Sequence, residues 1–203
     1  MMDNQYKERR QEIEATFANM TLSGKDPETF VSPSGDFELT VSQFTAGPQT
    51  WSYSRGEVRR KADHALVADV KRNFDNFWHA WVAHPDGNEY LLCGEDYQGY
   101  SVIDLRSGEM AVHFPPEAFK GSGFCWADAL PSPDGLTLAV FGCYWACPYE
   151  LVFFDFSNPM QLPLAELARI GDCYDTVGWE SARSFKYVTK PHSSGVVAVW
   201  NRP

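Results

Sequence analysis

An all-β fold is predicted by two observations. The segments Phe77–Phe114 and Phe124–Leu167 repeat one pattern: a strand, a Pro-Asp-Gly turn, a second strand, a loop, and a strand ending in Asp before a further turn. The turn prolines Pro33, Pro85 and Pro133 then recur at spacings of 52 and 48 residues, a period that marks repeated sheet units. Proline presets φ at one turn position, and glycine supplies the positive φ that other residues resist.

Taken in order, the chain opens with the one segment that reads as helix. Over residues 3–20, Tyr6, Ile13, Phe17 and Met20 fall on one stripe among charged positions, with Asp3 as N-cap and Ser23-Gly24 as the stop. So narrow a stripe must lie against another surface, and residues 1–24 are expected to pack on the domain that follows. The segment Phe30–Gly35 comes next. Phe37–Phe44 alternates Phe37, Leu39 and Val41 with Glu38, Thr40 and Ser42, as a half-covered strand does. Trp51–Val58 and Ala65–Val70 read as further strands, and Pro33-Ser34-Gly35 stands where the later units have Pro-Asp-Gly. Units at about 30–72, 77–120, 124–170 and 172–203 make a single β domain over residues 25–203, its fourth unit formed by Thr176–Thr189 and Val196–Trp200.

The motifs His84-Pro85-Asp86-Gly87 with Val102-Ile103-Asp104-Leu105-Arg106-Ser107-Gly108, and Ser132-Pro133-Asp134-Gly135 with Phe153-Phe154-Asp155-Phe156-Ser157-Asn158, resemble blades of β-propeller proteins of the YVTN, TolB-like and WD40-like kinds. The resemblance spans residues 77–167. It implies a small propeller-like array of about four antiparallel sheet units, closed or open, with an N-terminal α-helix. A β-sandwich is the alternative, because short strands with regular turns serve that fold too.

The composition limits the function. The 203 residues are 44% hydrophobic and 15% aromatic, enough for a packed core, and carry a formal net charge of -10. Between Asn76 and Asp155 eleven carboxylates face only Arg106 and Lys120. Such a surface repels nucleic acid and anionic membrane and attracts a basic protein partner. The first twenty residues are too charged for a signal sequence, so a cytoplasmic protein with reduced thiols is expected. Cys143 and Cys147 form the most metal-like pair, yet a structural zinc site needs four ligands, and buried thiols explain the five cysteines more simply. No cofactor is expected.

The candidate binding residues are Glu95, Asp96, Tyr97 and Tyr100 in one loop, and Tyr144, Trp145 and Glu150 in its counterpart. Loops at the edge of a sheet scaffold concentrate binding residues. Adjacent carboxylates with tyrosines suit a Lys or Arg side chain through charge and cation–π attraction. Trp145, beside Tyr144 and Pro148, reads as an exposed anchor. With no hydrolase, Walker or dinucleotide fingerprint, the chain reads as a non-enzymatic protein-binding module. Its sharper form is an immunity or anti-defence inhibitor of a basic nucleic-acid-binding protein. The alternative is a metal-dependent hydrolase or lyase built on carboxylates and His79, with Asp128 or Glu95 as its acid–base partner.

Overall fold

The computed structural model describes residues 4–145, 148–189 and 196–203. Among the described residues one α-helix, α1 (Asn4–Phe17), precedes four antiparallel sheets that follow each other in chain order, with a 3-10 turn at Pro116–Lys120 between the second and third. Sheet 1 holds β1 (Thr21–Leu22), β2 (Glu28–Val31), β3 (Phe37–Thr45), β4 (Tyr53–Arg60) and β5 (Leu66–Arg72). Strands β1 and β2 share β3 as their partner, β2 at the residues around Leu39 and β1 at Phe44 and Thr45. Sheet 2 holds β6 (Ala80–Ala83), β7 (Glu89–Cys93), β8 (Tyr100–Asp104) and β9 (Met110–His113). Sheet 3 holds β10 (Phe124–Pro131), β11 (Thr137–Tyr144), β12 (Glu150–Asp155) and β13 (Glu166–Ile170). Among the described residues sheet 4 holds β14 (Asp175–Ser181), β15 (Ser184–Val188) and β16 (Val197–Asn201).

The sheets stack face on face as propeller-like blades, and the sandwich alternative is set aside. Side chains alternate across a strand, so a strand covered on both sides must be apolar at consecutive positions. In β7, Leu91 and Cys93 pack with Leu39, Val58 and Val70 of sheet 1, while Tyr90 and Leu92 pack towards Leu138, Val140 and Val152 of sheet 3. In β12, Val152 and Phe154 face sheet 2, while Leu151 and Phe153 face Phe185, Trp179 and Trp200 of sheet 4. Aromatic rings join the layers: Trp126 of sheet 3 stacks on Tyr100 of sheet 2 at 4.3 Å, and Phe153 of sheet 3 stacks on Trp200 of sheet 4 at 3.7 Å. Among the described residues, no apolar cluster joins sheet 4 back to sheet 1.

The three proline turns are one structure used three times. In each, the glycine N–H donates to the carbonyl of the residue before proline: Gly35 to Ser32, Gly87 to His84 and Gly135 to Ser132, at 2.8–3.0 Å. All three glycines have φ between 69° and 84°. Each turn is also held by the next sheet. Glu89 of sheet 2 accepts from the Ser34 N–H and hydroxyl, at 2.7 and 2.5 Å. The His84 ring nitrogen lies 3.2 Å from the Phe156 carbonyl that follows β12 of sheet 3. Arg202, just beyond β16, reaches both Asp134, at 2.6 Å, and the Thr137 hydroxyl, at 2.9 Å. These turns therefore define one rim. Because antiparallel strands reverse direction, the connections β3–β4, β7–β8 and β11–β12 emerge at the opposite rim.

The helix crosses that opposite rim. Tyr6, Ile13 and Phe17 are its buried apolar residues. Phe17 contacts Phe44 and Tyr53 of sheet 1, with ring centres 5.1 and 5.5 Å away, and Tyr6 contacts Phe114 just beyond β9. Glu14 pairs with Lys71. The expected stripe is present, but the helix stops at Phe17 and leaves Met20 to the connection; Asp3 lies outside the described residues. Trp51 falls before its expected strand, which begins at Tyr53, and its indole N–H donates to the Asn73 carbonyl at 2.8 Å.

Candidate functional site

The β7–β8 loop, residues 94–99, is shaped from below by Arg72. This guanidinium is 2% exposed and donates to the carbonyls of Gly94 at 2.8 Å, Asp96 at 3.0 Å and Asn76 at 2.9 Å. Burial lowers its pKa to about 10. The Asp96 carboxylate also braces the loop: Oδ1 accepts from the Gln98 N–H, and Oδ2 from the Asn73 amide at 2.6 Å. Gln98 in turn accepts from the Gly123 N–H at 3.3 Å, which ties the loop to the chain entering sheet 3.

Glu95 and Asp96 are 5% and 4% exposed, so neither lies open to a partner as the loop position implied. The helix covers them. The Tyr6 hydroxyl donates to Glu95, and Arg10 lies 3.2 Å from the same carboxylate. Arg9 donates to Asp96 through Nε at 3.0 Å, with Nη2 equally close. The Lys or Arg that this acidic loop calls for is thus supplied by the chain itself, from residues 87 positions away. Burial pushes the Glu95 carboxyl up to about 7 although Arg10 and Tyr6 favour its ionised form.

Tyr100 is likewise inside. Its ring stacks on Trp126, its hydroxyl accepts from the Leu164 N–H at 2.7 Å, and burial pushes its pKa up to about 12. Tyr97, half-buried, turns outward, and its ring meets Trp145 at 5.5 Å across the gap between sheets 2 and 3. Trp145 is 65% exposed. Tyr144 packs on Phe124 at 5.4 Å, and the Arg169 guanidinium lies over both rings. Glu150 binds Arg169 at 2.6 Å, and Glu166 shares that cation. The structure therefore brings Tyr97, Tyr144 and Trp145 to one surface, places Glu150 beneath it, and puts Glu95, Asp96 and Tyr100 inside the molecule.

The acid–base pairing of His79 with Glu95 is not formed. The His79 ring packs on Phe30 at 4.4 Å, and burial lowers its pKa, while Glu95 belongs to the helix contact. Among the described residues, no three His, Cys, Asp or Glu side chains gather as a metal cluster. Cys147 lies outside the described residues. Cys125 stands opposite Cys143 in the β10–β11 ladder, and burial pushes the Cys125 thiol up to about 11. The basic run Arg59-Arg60-Lys61 is partly self-neutralised, Arg59 on Glu57 and Arg60 on Asp63.

Sequence reasoning missed Arg72, Asn73, Tyr6, Arg9 and Arg10. A cation at the end of a half-covered strand and two arginines on a charged helix look like solvated surface, and only the fold brings them together.

No family model matches the sequence. An uncharacterized protein of Acanthamoeba polyphaga mimivirus is 35% identical over 130 residues, which are 64% of this chain and 51% of that protein. The chain thus spans about half the length of the curated relative it matches. Among solved structures, the β-propeller domain of Myceliophteria thermophila Cps50 (Swd1) is similar at 10% identity and a TM-score of 0.47, over 88% of this chain and 70% of that one. None of the described helices is long and apolar enough to cross a membrane.

Proposed function

We propose that this chain is a non-enzymatic protein-binding module that meets a basic partner on the face where the β7–β8 and β11–β12 connections touch. Trp145 carries the reading: it is 65% exposed, yet its ring leans on Tyr97 of the neighbouring sheet. An exposed tryptophan propped by a second ring is preorganised for burial by a partner, and large rigid aromatics dominate binding energy. Tyr144, held by Phe124 and Arg169, extends the face. The carboxylates act mainly through their summed field, because Glu95, Asp96 and Glu150 each have an arginine of this chain as partner.

The finer reading is inhibition: an acidic surface that competes with phosphate for the cations of a nucleic-acid-binding protein, in the cytoplasm, without contacting nucleic acid or membrane itself. The test is capture by the tagged full chain from source lysate at low and high salt, beside a Trp145→Ser variant. A dominant basic protein that elutes as salt rises, and that Trp145→Ser fails to retain, supports the reading. Retention by the variant equal to wild type removes this face, and capture of nothing at either salt removes the binding function.

A further inference from the structure

The acidic loop is built without the helix. Arg72 fixes three of the surrounding carbonyls, Asn73 and the Gln98 N–H fix Asp96, and all of these groups belong to the sheets or their loops. Tyr6, Arg9 and Arg10 are laid on top. The recess also holds a polar atom that the helix does not satisfy. Asn73 is 8% exposed, and its Oδ1 has no hydrogen-bond partner although the same amide donates to Asp96. A buried acceptor without a partner is costly, and this one belongs to the amide that braces the Asp96 carboxylate under α1.

The helix is a short cover of 14 residues. Its buried apolar residues are Tyr6, Ile13 and Phe17, and helices shorter than roughly 12–15 residues are marginal without packing. A cavity of about 400 Å³ opens beside the contact, between Glu8, Arg9 and Glu12 of α1 and Asp96, Tyr97 and Phe119 of the domain. Tyr97 therefore borders the recess on one side and Trp145 on the other, which makes the two surfaces continuous.

We infer that α1 is an internal stand-in for the partner, and that the partner enters the recess with an amphipathic helix presenting an aromatic hydroxyl and two arginines, displacing α1 to reach Glu95, Asp96 and Asn73. The inference rests on the protein-binding reading and supplies its partner chemistry. The spacing Tyr6, Arg9, Arg10, Ile13, Phe17 is the template: these positions share one helical face and meet, in turn, Glu95, Asp96 and the sheet 1 aromatics. Charge selects the same occupant, since a cover without a cation would take from the buried Asp96 carboxylate the arginine that α1 gives it. A partner that brings its own arginines can exchange for α1 without leaving that carboxylate bare.

The test uses the full chain and a labelled peptide of residues 4–20 as the probe. In wild type the tethered helix competes with the peptide. In the Arg9→Glu/Arg10→Glu chain that competition is weakened, and the peptide should bind about tenfold tighter or better. A peptide carrying the same two substitutions should bind neither protein. Equal affinity of the wild-type peptide for both chains, or undiminished binding of the substituted peptide, overturns the inference. Hydrogen exchange on wild type keeps the test open if the doubly substituted chain fails to fold. Amides of α1 should exchange at least about 100-fold faster than those of β7 and β11, whereas equal protection would mean that the helix leaves only on global unfolding. Neither measurement involves Trp145 or a lysate partner. Their failure would leave the aromatic-face reading intact, and failed capture would leave the helix exchange intact.

Discussion

Replacing Glu95 by Gln tests how burial and ion pairing balance under the helix. The carboxyl is 5% exposed, and burial raises it from the ordinary 4.5 to about 7. Arg10 at 3.2 Å and the Tyr6 hydroxyl pull the other way without offsetting burial. Between these two pH values the folded chain keeps a proton that the unfolded chain has released. Through this group stability therefore rises on acidification, is complete below the unfolded pKa, and is lost as pH rises through about 7. The span corresponds to roughly 3 kcal/mol, at about 1.4 kcal/mol per pH unit. Glutamine keeps the shape and cannot titrate. The difference in unfolding free energy, wild type minus Glu95→Gln, should climb by about 2–3 kcal/mol as urea titrations move from about pH 8 to about pH 5. His79 and His113, both lowered by burial, are present in both proteins and cancel. A flat difference over that range would mean that Glu95 stays ionised and that Arg10 with Tyr6 outweighs burial, refuting the argument.

Two further substitutions probe the scaffold. Gly135→Ala should cost about 2–4 kcal/mol in thermal unfolding, because φ is 69° and the new Cβ would fall 2.4 Å from the Ala83 carbonyl oxygen; Gly121→Ala, at φ 71° with open space around it, should cost only about 1 kcal/mol. Arg72→Met should destabilise by about 3 kcal/mol or more and should speed exchange of the 94–99 amides, since the carbonyls of Asn76, Gly94 and Asp96 lose their shared donor.

Much of the fold was legible because it rests on local rules. The Pro-x-Gly turns need positive φ wherever they occur, so they announce themselves at Gly35, Gly87 and Gly135. The runs Tyr90–Cys93 and Leu151–Phe154 have no polar alternation because both faces of their sheets are covered, and that pattern is visible without coordinates. The site was legible only in part. Trp145 and Tyr97 could be placed on adjoining loops, but the burial of Glu95 and Asp96 depends on a helix that the sequence leaves free to pack anywhere on the domain. Its arginines stand among glutamates at neighbouring positions, so no charge run marks them as the partners of a loop some 87 residues away.

The position of the candidate face follows from the stacking order. Sheets 2 and 3 are the two members covered on both sides, each contributing residues to two of the three apolar clusters. Sheet 1 turns an ion-paired surface outward, with Arg55 bound to Asp69 at 2.7 Å and Glu57 to Arg59 at 3.1 Å. Sheet 4 leaves Val197 and Val199 exposed on its far side. Half-covered sheets open at lower free energy than doubly covered ones, and a binding constellation needs supports that do not move. Tyr97 is carried between β7 and β8, and Trp145 follows β11, so both stand on strands of the two sheets that are covered on both sides. The aromatic face is therefore held from beneath, whereas the acidic recess beside it is covered by α1, which buries only Tyr6, Ile13 and Phe17 among its apolar residues. On the proposed reading, firm support beneath the aromatic face and an exchangeable cover over the recess arise together from one stack of four sheets.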